Sequence, residues 1–485
     1  ALASTVQRDP TAPHYKYHDD PYLIPYSNSS KRSYALSYEA GRKAAYWIRQ
    51  QHADLFQHKV ADPFIEVFAP KPVFDETSDV SEDILKQLIK NHSVLDAIKV
   101  YQMLEGKSIE LRRETKQSLL ELVCYYNAED PLQEDWIEER WFRFGVKEKS
   151  KQKNTWRDNG IAEKLFGGLK PADRASYGAI ICGMCSHGQL DKAWALYLES
   201  TQENVLITIE AFNALLSKVC FLKEGHDLIW NLTMDLLADM NRRKIRPNIG
   251  TLNAVLEMLS TISTNNNAQS NALAIIAELK QLDIEPSLAS YYHLLNIFYK
   301  KRGPPSGILI DMLNYLDGKS FKVVDLKDTN FFLRAMEVCH QLKDKDLAYR
   351  VDQLLHTGEN YNMIGDSHRE SQYYRHLFML LCETEPMDVF MKFYETLVPN
   401  VYIPEPSVME TVLTVVDQNG AWEYLPQLWS DMIQFEHSDR EQLLAKMLEC
   451  ASKILDENLT EKIVKIGMDI WEKIEENKRE RSSLM

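Results

Sequence analysis

One short pattern returns three times in the middle of the chain, and it constrains the fold more than any other feature. Its copies are residues 176–181, 211–216 and 251–256. The aromatic or apolar residue at the second place of the pattern recurs after 35, 40 and then 39 residues, at Tyr177, Phe212, Leu252 and Tyr291. A recurrence of this length is typical of a solenoid, whose units cannot bury their apolar faces alone. The sequence therefore predicts stacked helix-turn-helix units.

Weaker copies of the pattern continue toward the C-terminus. Their second-place residues follow at intervals of 41, 42 and 35 residues, at Phe332, Tyr374 and Met409. The spacing is thus 35 residues with insertions, and polar loops such as residues 261–267 account for the longer intervals. We expect clear repeats over 174–300, degenerate repeats over 301–438 and C-terminal helices over 439–485.

The first 140 residues contain two kinds of sequence. The spacing of Ala97 and Tyr101 matches that of Ala193 and Tyr197 in the clear repeats, which predicts divergent helical repeats over 81–140. Residues 1–80 open with closely spaced prolines and tyrosines instead. They predict a largely extended N-terminal arm that orders only against another molecule. We interpret the arm as a clamp on RNA or on a neighbouring protein, and an unstructured leader is the alternative.

A basic, aromatic linker is predicted over 141–173, between the divergent and the clear repeats. Residues 140–174 carry ten Lys or Arg against four Asp or Glu, a local charge of +6. Four aromatic residues are interleaved with these cations, namely Trp141, Phe142, Phe144 and Trp156. Cations beside aromatic rings suit phosphate neutralisation and base stacking, although a solvated loop between domains would have the same charge. The candidate RNA-binding cations are Arg143, Lys147, Lys149, Lys151, Lys153 and Arg157.

The overall charge argues against diffuse binding to RNA. The chain of 485 residues has 56 Lys and Arg against 71 Asp and Glu, a net charge of −15. An acidic surface opposes the electrostatic term that dominates binding to a phosphate backbone, so any RNA contact must be local. Seven scattered cysteines predict a reducing compartment without a disulfide framework. No apolar run approaches the roughly 20 residues that span a bilayer, so we expect a soluble protein without membrane contact.

No sequence motif supports catalysis, a cofactor or a small-molecule substrate. Cys182 and Cys185 have the spacing of a zinc-binding pair, but no second pair accompanies them and the run lies inside a predicted helix. There is no glycine-rich phosphate loop, nucleophile elbow or pair of catalytic carboxylates. We therefore expect a protein that is not an enzyme and has no metal site.

The repeats resemble a known family. Residues 212–216 and the closing run at residues 244–248 are similar to pentatricopeptide repeats. This resemblance implies an all-α, right-handed α-solenoid that binds single-stranded RNA in an organelle, here with an extended N-terminal arm. It also implies localisation in the mitochondrial matrix.

The same resemblance implies which residues contact bases. In that family a base is read by the residue after the second-place aromatic together with the last residue of the repeat. The pairs at these positions are Gly178 with Thr208, Asn213 with Asn248, Asn253 with Ser287, and Tyr292 with Asp328. The two pairs that contain Asn213 and Asn253 resemble pyrimidine readers, because an amide both donates and accepts hydrogen bonds. Both asparagines have an alternative role as remnants of the repeat pattern or as local helix caps.

Three functions follow from these observations. The first, which the resemblance implies, is a structural component of the small subunit of the mitochondrial ribosome. It would contact rRNA, neighbouring ribosomal proteins and incoming mRNA. The second is a free factor for processing or stabilising mitochondrial RNA, which the interrupted period and the few readable pairs disfavour. The third is a protein scaffold, because helical solenoids also hold proteins in their concave surface.

Overall fold

The computed structural model describes residues 28–52, 55, 74–75, 78–131, 155–262, 267–299, 306–365, 367–453 and 457–483. Within these ranges the chain forms 21 α-helices, four short 3₁₀ helices and no β-strand. The predicted all-α fold class is therefore confirmed. None of the helices in the described ranges is both long enough and apolar enough to cross a membrane.

Twelve α-helices lie before residue 300. They are α1 (Asn28–Gln51), α2 (Glu82–Lys90), α3 (Val94–Gly106), α4 (Arg113–Tyr126), α5 (Ile161–Gly168), α6 (Arg174–Ser186), α7 (Leu190–Gln202), α8 (Ile209–Lys218), α9 (His226–Arg242), α10 (Ile249–Thr261), α11 (Asn267–Lys280) and α12 (Leu288–Phe298).

Nine further α-helices follow. They are α13 (Ile308–Leu316), α14 (Phe331–Leu342), α15 (Lys345–Leu355), α16 (Ser367–Thr384), α17 (Met387–Leu397), α18 (Pro406–Asn419), α19 (Leu425–Gln434), α20 (Glu441–Ser452) and α21 (Glu457–Ser483).

Contacts between Cα atoms divide the chain into two compact units. The N-terminal unit comprises residues 36–300, and the C-terminal unit comprises residues 301–485 together with 1–35. In the N-terminal unit, the first helices of successive repeats pack side by side in the order α4, α6, α8, α10 and α12. In the C-terminal unit, α14, α16, α18 and α20 form the corresponding row. Each row is the nearest-neighbour stacking expected of a solenoid.

The recurring second-place residues form the core of these rows. Each of them lies within the first two turns of a first helix or near the middle of that helix. All of them are buried, namely Tyr177, Phe212, Leu252, Tyr291, Phe332, Tyr374 and Met409. Rings in neighbouring helices meet at these positions, as where Tyr197 of α7 packs edge-on against Phe212 of α8 with centroids 5.9 Å apart. Aromatic burial of this kind contributes more to stability than area alone, by roughly 0.5–1.5 kcal/mol for each favourable pair.

A second row is formed by the second helices, which are joined by aromatic donors and carboxylate acceptors. The Tyr197 hydroxyl of α7 donates to Asp239 Oδ2 of α9 over 2.8 Å. The same kind of bond runs from Tyr394 of α17 to Asp431 of α19, over 2.7 Å. Trp429 Nε1 of α19 in turn donates to an Asp469 oxygen of α21 over 3.4 Å. Each bond links one repeat to the next, so carboxylates in this row support the stacking.

The structure describes only a part of the arm that is predicted to be largely extended over 1–80, and most of the described part is helical. Residues 28–51 form the 24-residue helix α1. The closely spaced prolines of the leader end before this segment, which contains four alanines and several Lys and Arg, all good helix formers. The rest of the predicted arm lies outside the described residues, apart from a few positions before residue 81.

The structure describes only the last part of the predicted linker over 141–173. Its last part is folded, because helix α5 occupies Ile161–Gly168. Trp156 is only 6% exposed, and its indole nitrogen donates to a Glu163 oxygen over 2.9 Å. Trp156 is therefore a core residue and is unavailable for stacking on a base, whereas residues 132–154 lie outside the described residues. The large apolar face of a tryptophan explains why composition alone could not separate these two roles.

Close packing at Gly183 of α6 gives a first prediction. A Cβ atom there would lie 2.8 Å from Cys124 Cβ, 2.9 Å from the Cys124 carbonyl oxygen and 2.9 Å from the Trp156 ring. We expect Gly183→Ala to lower the free energy of unfolding by about 1–3 kcal/mol, because backbone and ring must shift apart. Thermal unfolding of the full chain measures this. Gly167→Ala is the control, since a Cβ there meets nothing within 4 Å and should leave stability unchanged or raised.

Two histidines of the C-terminal unit face each other across adjacent first helices. His340 Nδ1 of α14 and His376 Nδ1 of α16 lie 3.0 Å apart, so one ring must donate and the other must accept. Burial lowers the pKa of both side chains, and the pKa of His376 falls to about 4. The charged groups that act on this pair are Arg334, Glu337, Lys343, Arg375 and Glu383.

This pair gives a prediction for the effect of pH. Because the folded pKa of His376 is about 4 against an ordinary 6.5, the unfolded chain binds more protons between these values. The contribution of neutral His376 to the free energy of unfolding is complete above pH 6.5 and is lost as the pH falls toward 4. We expect the melting temperature to decline over this range less steeply in His376→Gln than in the wild type. The control His226→Gln alters an exposed histidine and should keep the wild-type slope. Equal slopes in all three proteins would contradict the assignment.

Candidate nucleic-acid interface

The predicted base-reading residues lie where one repeat meets the start of the next. Asn248 is the N-cap of α10, and its side-chain oxygen accepts from the Thr251 backbone N–H over 3.0 Å. The Thr251 hydroxyl reaches back to the Asn248 backbone N–H over 3.1 Å and completes a capping box. Two of the N–H groups that a helix start leaves without partners are thereby satisfied.

Asn213 of the preceding repeat joins this capping box from α8. Its amide nitrogen donates to Asn248 Oδ1 over 3.1 Å. Its amide oxygen accepts from the Thr251 hydroxyl over 2.7 Å. The sequence therefore paired Asn213 and Asn248 correctly in space, and both ends of the Asn213 amide hold the next helix.

The same arrangement recurs one repeat further on. Ser287 is the N-cap of α12, and Asn253 Nδ2 lies 3.4 Å from the Ser287 hydroxyl. The Ser290 hydroxyl donates to Asn253 Oδ1 over 2.6 Å and accepts from the Ser287 backbone N–H over 3.1 Å. Asn253 is only 4% exposed. A base could reach this amide only by displacing hydrogen bonds that support the start of α12.

The junction before these two contains no amide. Gly178 stands at the position of Asn213 and Asn253, and a Cβ atom on it would lie 2.6 Å from the Thr208 methyl carbon. Thr208 is the N-cap of α8 and accepts from the Ala211 backbone N–H over 3.3 Å. The threonine side chain thus fills the space that a longer side chain would need. Gly178 itself has no side chain with which to read a base.

An earlier junction uses residues that the sequence analysis missed. Asp173 is the N-cap of α6 and accepts from the Ser176 backbone N–H over 2.9 Å. The Ser176 hydroxyl lies 2.7 Å from Gln117 Oε1 of α4, in the arrangement of Thr251 with Asn213. Gln117 therefore stands where Asn213 and Asn253 stand in later repeats. The available signal was the hydroxyl residue three places after each N-cap, at Ser176, Thr251 and Ser290.

A glycine next to the cap makes room for the Asn213 amide. A Cβ atom on Gly250 would lie 2.8 Å from Asn213 Nδ2 and 3.1 Å from Asn248 Oδ1. Real Cβ contacts are essentially never this short, so any larger residue would displace one of the two amides. Gly250 is thus a part of the junction that the period alone did not identify.

The remaining predicted pair consists of residues with different local roles. Tyr292 lies in α12, where its ring packs edge-on against His293 with centroids 5.2 Å apart. Asp328 is buried in a 3₁₀ helix and accepts from the Val324 and Asp325 backbone N–H groups over 2.8 and 2.7 Å. Asp328 therefore stabilises its own turn.

Of the cations predicted to bind RNA in the linker, the structure describes one. Arg157 is exposed, and its guanidinium lies 3.3 Å from a Glu129 carboxylate oxygen. An exposed ion pair of this kind contributes at most about 1 kcal/mol, so a phosphate could replace the carboxylate at little cost. The other cations lie outside the described residues, namely Arg143, Lys147, Lys149, Lys151 and Lys153.

The two cysteines of the predicted zinc-type pair in α6 have thiols that favour the protonated form, as buried packing residues do. Burial raises the pKa of both Cys182 and Cys185 to about 12, so the thiolates that bind zinc are disfavoured. Among the described residues, no group of three or more His, Cys, Asp or Glu side chains could hold a metal ion.

Comparison with known proteins identifies two family matches. Residues 1–189 match the family described as small ribosomal subunit protein mS39, PPR. Residues 235–301 match the family described as pentatricopeptide repeat domain. The pentatricopeptide resemblance predicted from the repeat pattern is confirmed.

Relatives named small ribosomal subunit protein mS39 align with almost the whole chain. The one from Drosophila melanogaster is 48% identical over 488 residues, which cover 98% of this chain and 74% of the relative. The one from Danio rerio is 36% identical and covers 92% of this chain and 69% of the relative. The one from Mus musculus is 34% identical, with coverage of 92% and 67%.

The buried junction at Asn253 gives a prediction that needs no RNA. Asn253→Ala should lower the free energy of unfolding by about 1–2 kcal/mol, because the buried Ser290 hydroxyl loses its acceptor. Chemical denaturation of the full chain measures the change. Asn241→Ala is the control, since it removes an exposed amide near the end of α9 and should change stability little. Equal stability of the two variants would show that the junction contributes nothing.

Proposed function

The chain belongs to the family of small ribosomal subunit protein mS39, and from this we propose that it is a structural, RNA-binding component of the small subunit of the mitochondrial ribosome. The observation that carries the proposal is the similarity to relatives of that name along nearly the whole chain. Its site of action would be the mitochondrial matrix. Its partners would be small-subunit rRNA, neighbouring ribosomal proteins and incoming mRNA.

The junction geometry supports a structural role for the repeats. Asn213 and Asn253 direct their amides at the N-cap and the adjacent hydroxyl of the next repeat. A factor that recognises a transcript on its own would need such amides free to read bases along many repeats. A protein held in a large assembly needs a stable solenoid and a few local contacts with RNA. We therefore propose that the protein has no catalytic role.

We propose that two groups of residues provide these local contacts. The first is the pair of Asn213 and Asn248, whose side chains are both partly exposed. Asn253 and Ser287 would contribute only after their buried hydrogen bonds open. The second group is the basic linker, which contains Arg143, Lys147, Lys149, Lys151, Lys153 and Arg157.

Sedimentation tests the proposal. A mitochondrial lysate is centrifuged through a gradient at raised salt, and the protein is followed beside small-subunit rRNA. We expect the protein to migrate with the rRNA, because many simultaneous contacts resist the screening of individual charges. Migration near the top of the gradient would contradict a ribosomal role and leave a free RNA factor or a scaffold.

Crosslinking within the same gradient separates an RNA-contacting groove from a scaffold. Asn213→Ala with Asn248→Ala should reduce ultraviolet crosslinks between the repeats and RNA while the protein stays in the small-subunit fraction. Asn241→Ala is the matched control, and its crosslinks should equal those of the wild type. Unchanged crosslinks in the double variant would show that this junction does not contact RNA.

A further inference from the structure

Helix α1 presents an unusual surface for a helix of a folded protein. Over the described side chains of Asn28–Gln51, the single buried one belongs to Glu39, which is 5% exposed. Large aromatic side chains are directed to solvent, with Tyr38 at 66% and Trp47 at 58% exposure. Aromatic rings exposed at this level are a feature of surfaces that contact another molecule.

The charge of α1 has the opposite sign to that of the whole chain. The helix contains five Lys or Arg against the single acid Glu39, a charge of +4 within a chain of −15. Arg32 and Arg42 are exposed, whereas the one carboxylate is buried. The accessible charge among the described side chains of α1 is therefore entirely positive. A polyanion complements such a surface better than a protein of mixed charge does.

Three exposed residues of α1 share one face. Tyr34, Tyr38 and Arg42 are spaced by four residues, so they follow one another along the helix. The Arg42 guanidinium lies over the Tyr38 ring, 5.4 Å from its centroid. Stacked planes of arginine and tyrosine are groups on which unpaired bases of RNA pack. A helix of 24 residues is about 36 Å long, which gives this face room for several nucleotides.

We propose that α1 is an RNA-binding element, in which Arg42 contacts a phosphate while Tyr34 and Tyr38 stack on unpaired bases. This inference deepens the proposed function, because it names a contact with RNA outside the repeats. It also separates the two tasks of the chain. The repeats use their polar groups to hold one another, and a helix before them presents cations and rings.

Binding of the full chain to a short fluorescent oligouridylate over a series of salt concentrations tests the proposal. Arg42→Gln should reduce the slope of log affinity against log salt by about 0.7, which is the contribution of one phosphate contact on a single strand. Tyr38→Ala should weaken binding by about 5-fold or more at constant salt, because one stacked base is lost. Helix content measured by circular dichroism should stay unchanged in both.

A control with the same loss of charge makes the result specific. Lys223→Gln removes one exposed cation from another part of the chain and should keep the wild-type slope. If the arginine variant has the same slope as this control, α1 does not bind RNA. If it binds oligouridylate normally but leaves the small-subunit fraction, the partner of α1 is a protein and the proposal is overturned.

The two proposals fail in different ways. Wild-type protein at the top of the gradient would overturn the ribosomal role, whatever the oligouridylate data. Wild-type protein in the small-subunit fraction, with an unchanged salt slope in the arginine variant, would overturn only the role of α1.

Discussion

The first helices α6, α10 and α12 each begin against a polar side chain of the preceding repeat, and the stacking of the N-terminal unit depends on this interaction. A helix start leaves backbone N–H groups without partners, and Asn248 and Thr251 satisfy two of them in α10. Asn213 then holds both residues through the two ends of its amide. Local capping and contact between repeats are thus one network. This network orients the neighbouring helices. The aromatic and apolar side chains at the second place of the pattern are then buried between them.

The core residues of the fold could be predicted from the sequence, but only some of the residues at the junctions between repeats could. The period located residues such as Phe212 and Phe332 because burial demands an apolar side chain at one fixed place in every unit. It also paired Asn213 with Asn248, although their function in holding a cap was one of two alternatives. Gln117 escaped notice because the region around Asp173 interrupts the period, and contacts over 59 residues leave no local pattern. Helix α1 was not predicted because the helix propensity of its residues was the only signal for it. The prolines that precede the helix indicated an extended segment instead.

Some of the excess acidic residues have a structural role in the row of second helices. Asp239, Asp431 and Asp469 each accept a hydrogen bond from an aromatic side chain of the preceding repeat. Burial raises the pKa of Asp431, which marks this carboxylate as a part of the interior more than of the solvated surface. Such carboxylates add negative charge to the composition while they accept hydrogen bonds within the solenoid. Net charge is therefore a poor guide to what an individual surface of this solenoid can bind.

The two sides of each junction are also synthesised in a fixed order. Asn213 precedes Asn248 by 35 residues, and Asn253 precedes Ser287 by 34, so each amide leaves the translating ribosome before the cap that it holds. A newly made helix start finds its partner in sequence that has already been synthesised. Growth from the N-terminus can then add one ordered unit after another, and no unit has to wait with an open cap for residues still to come.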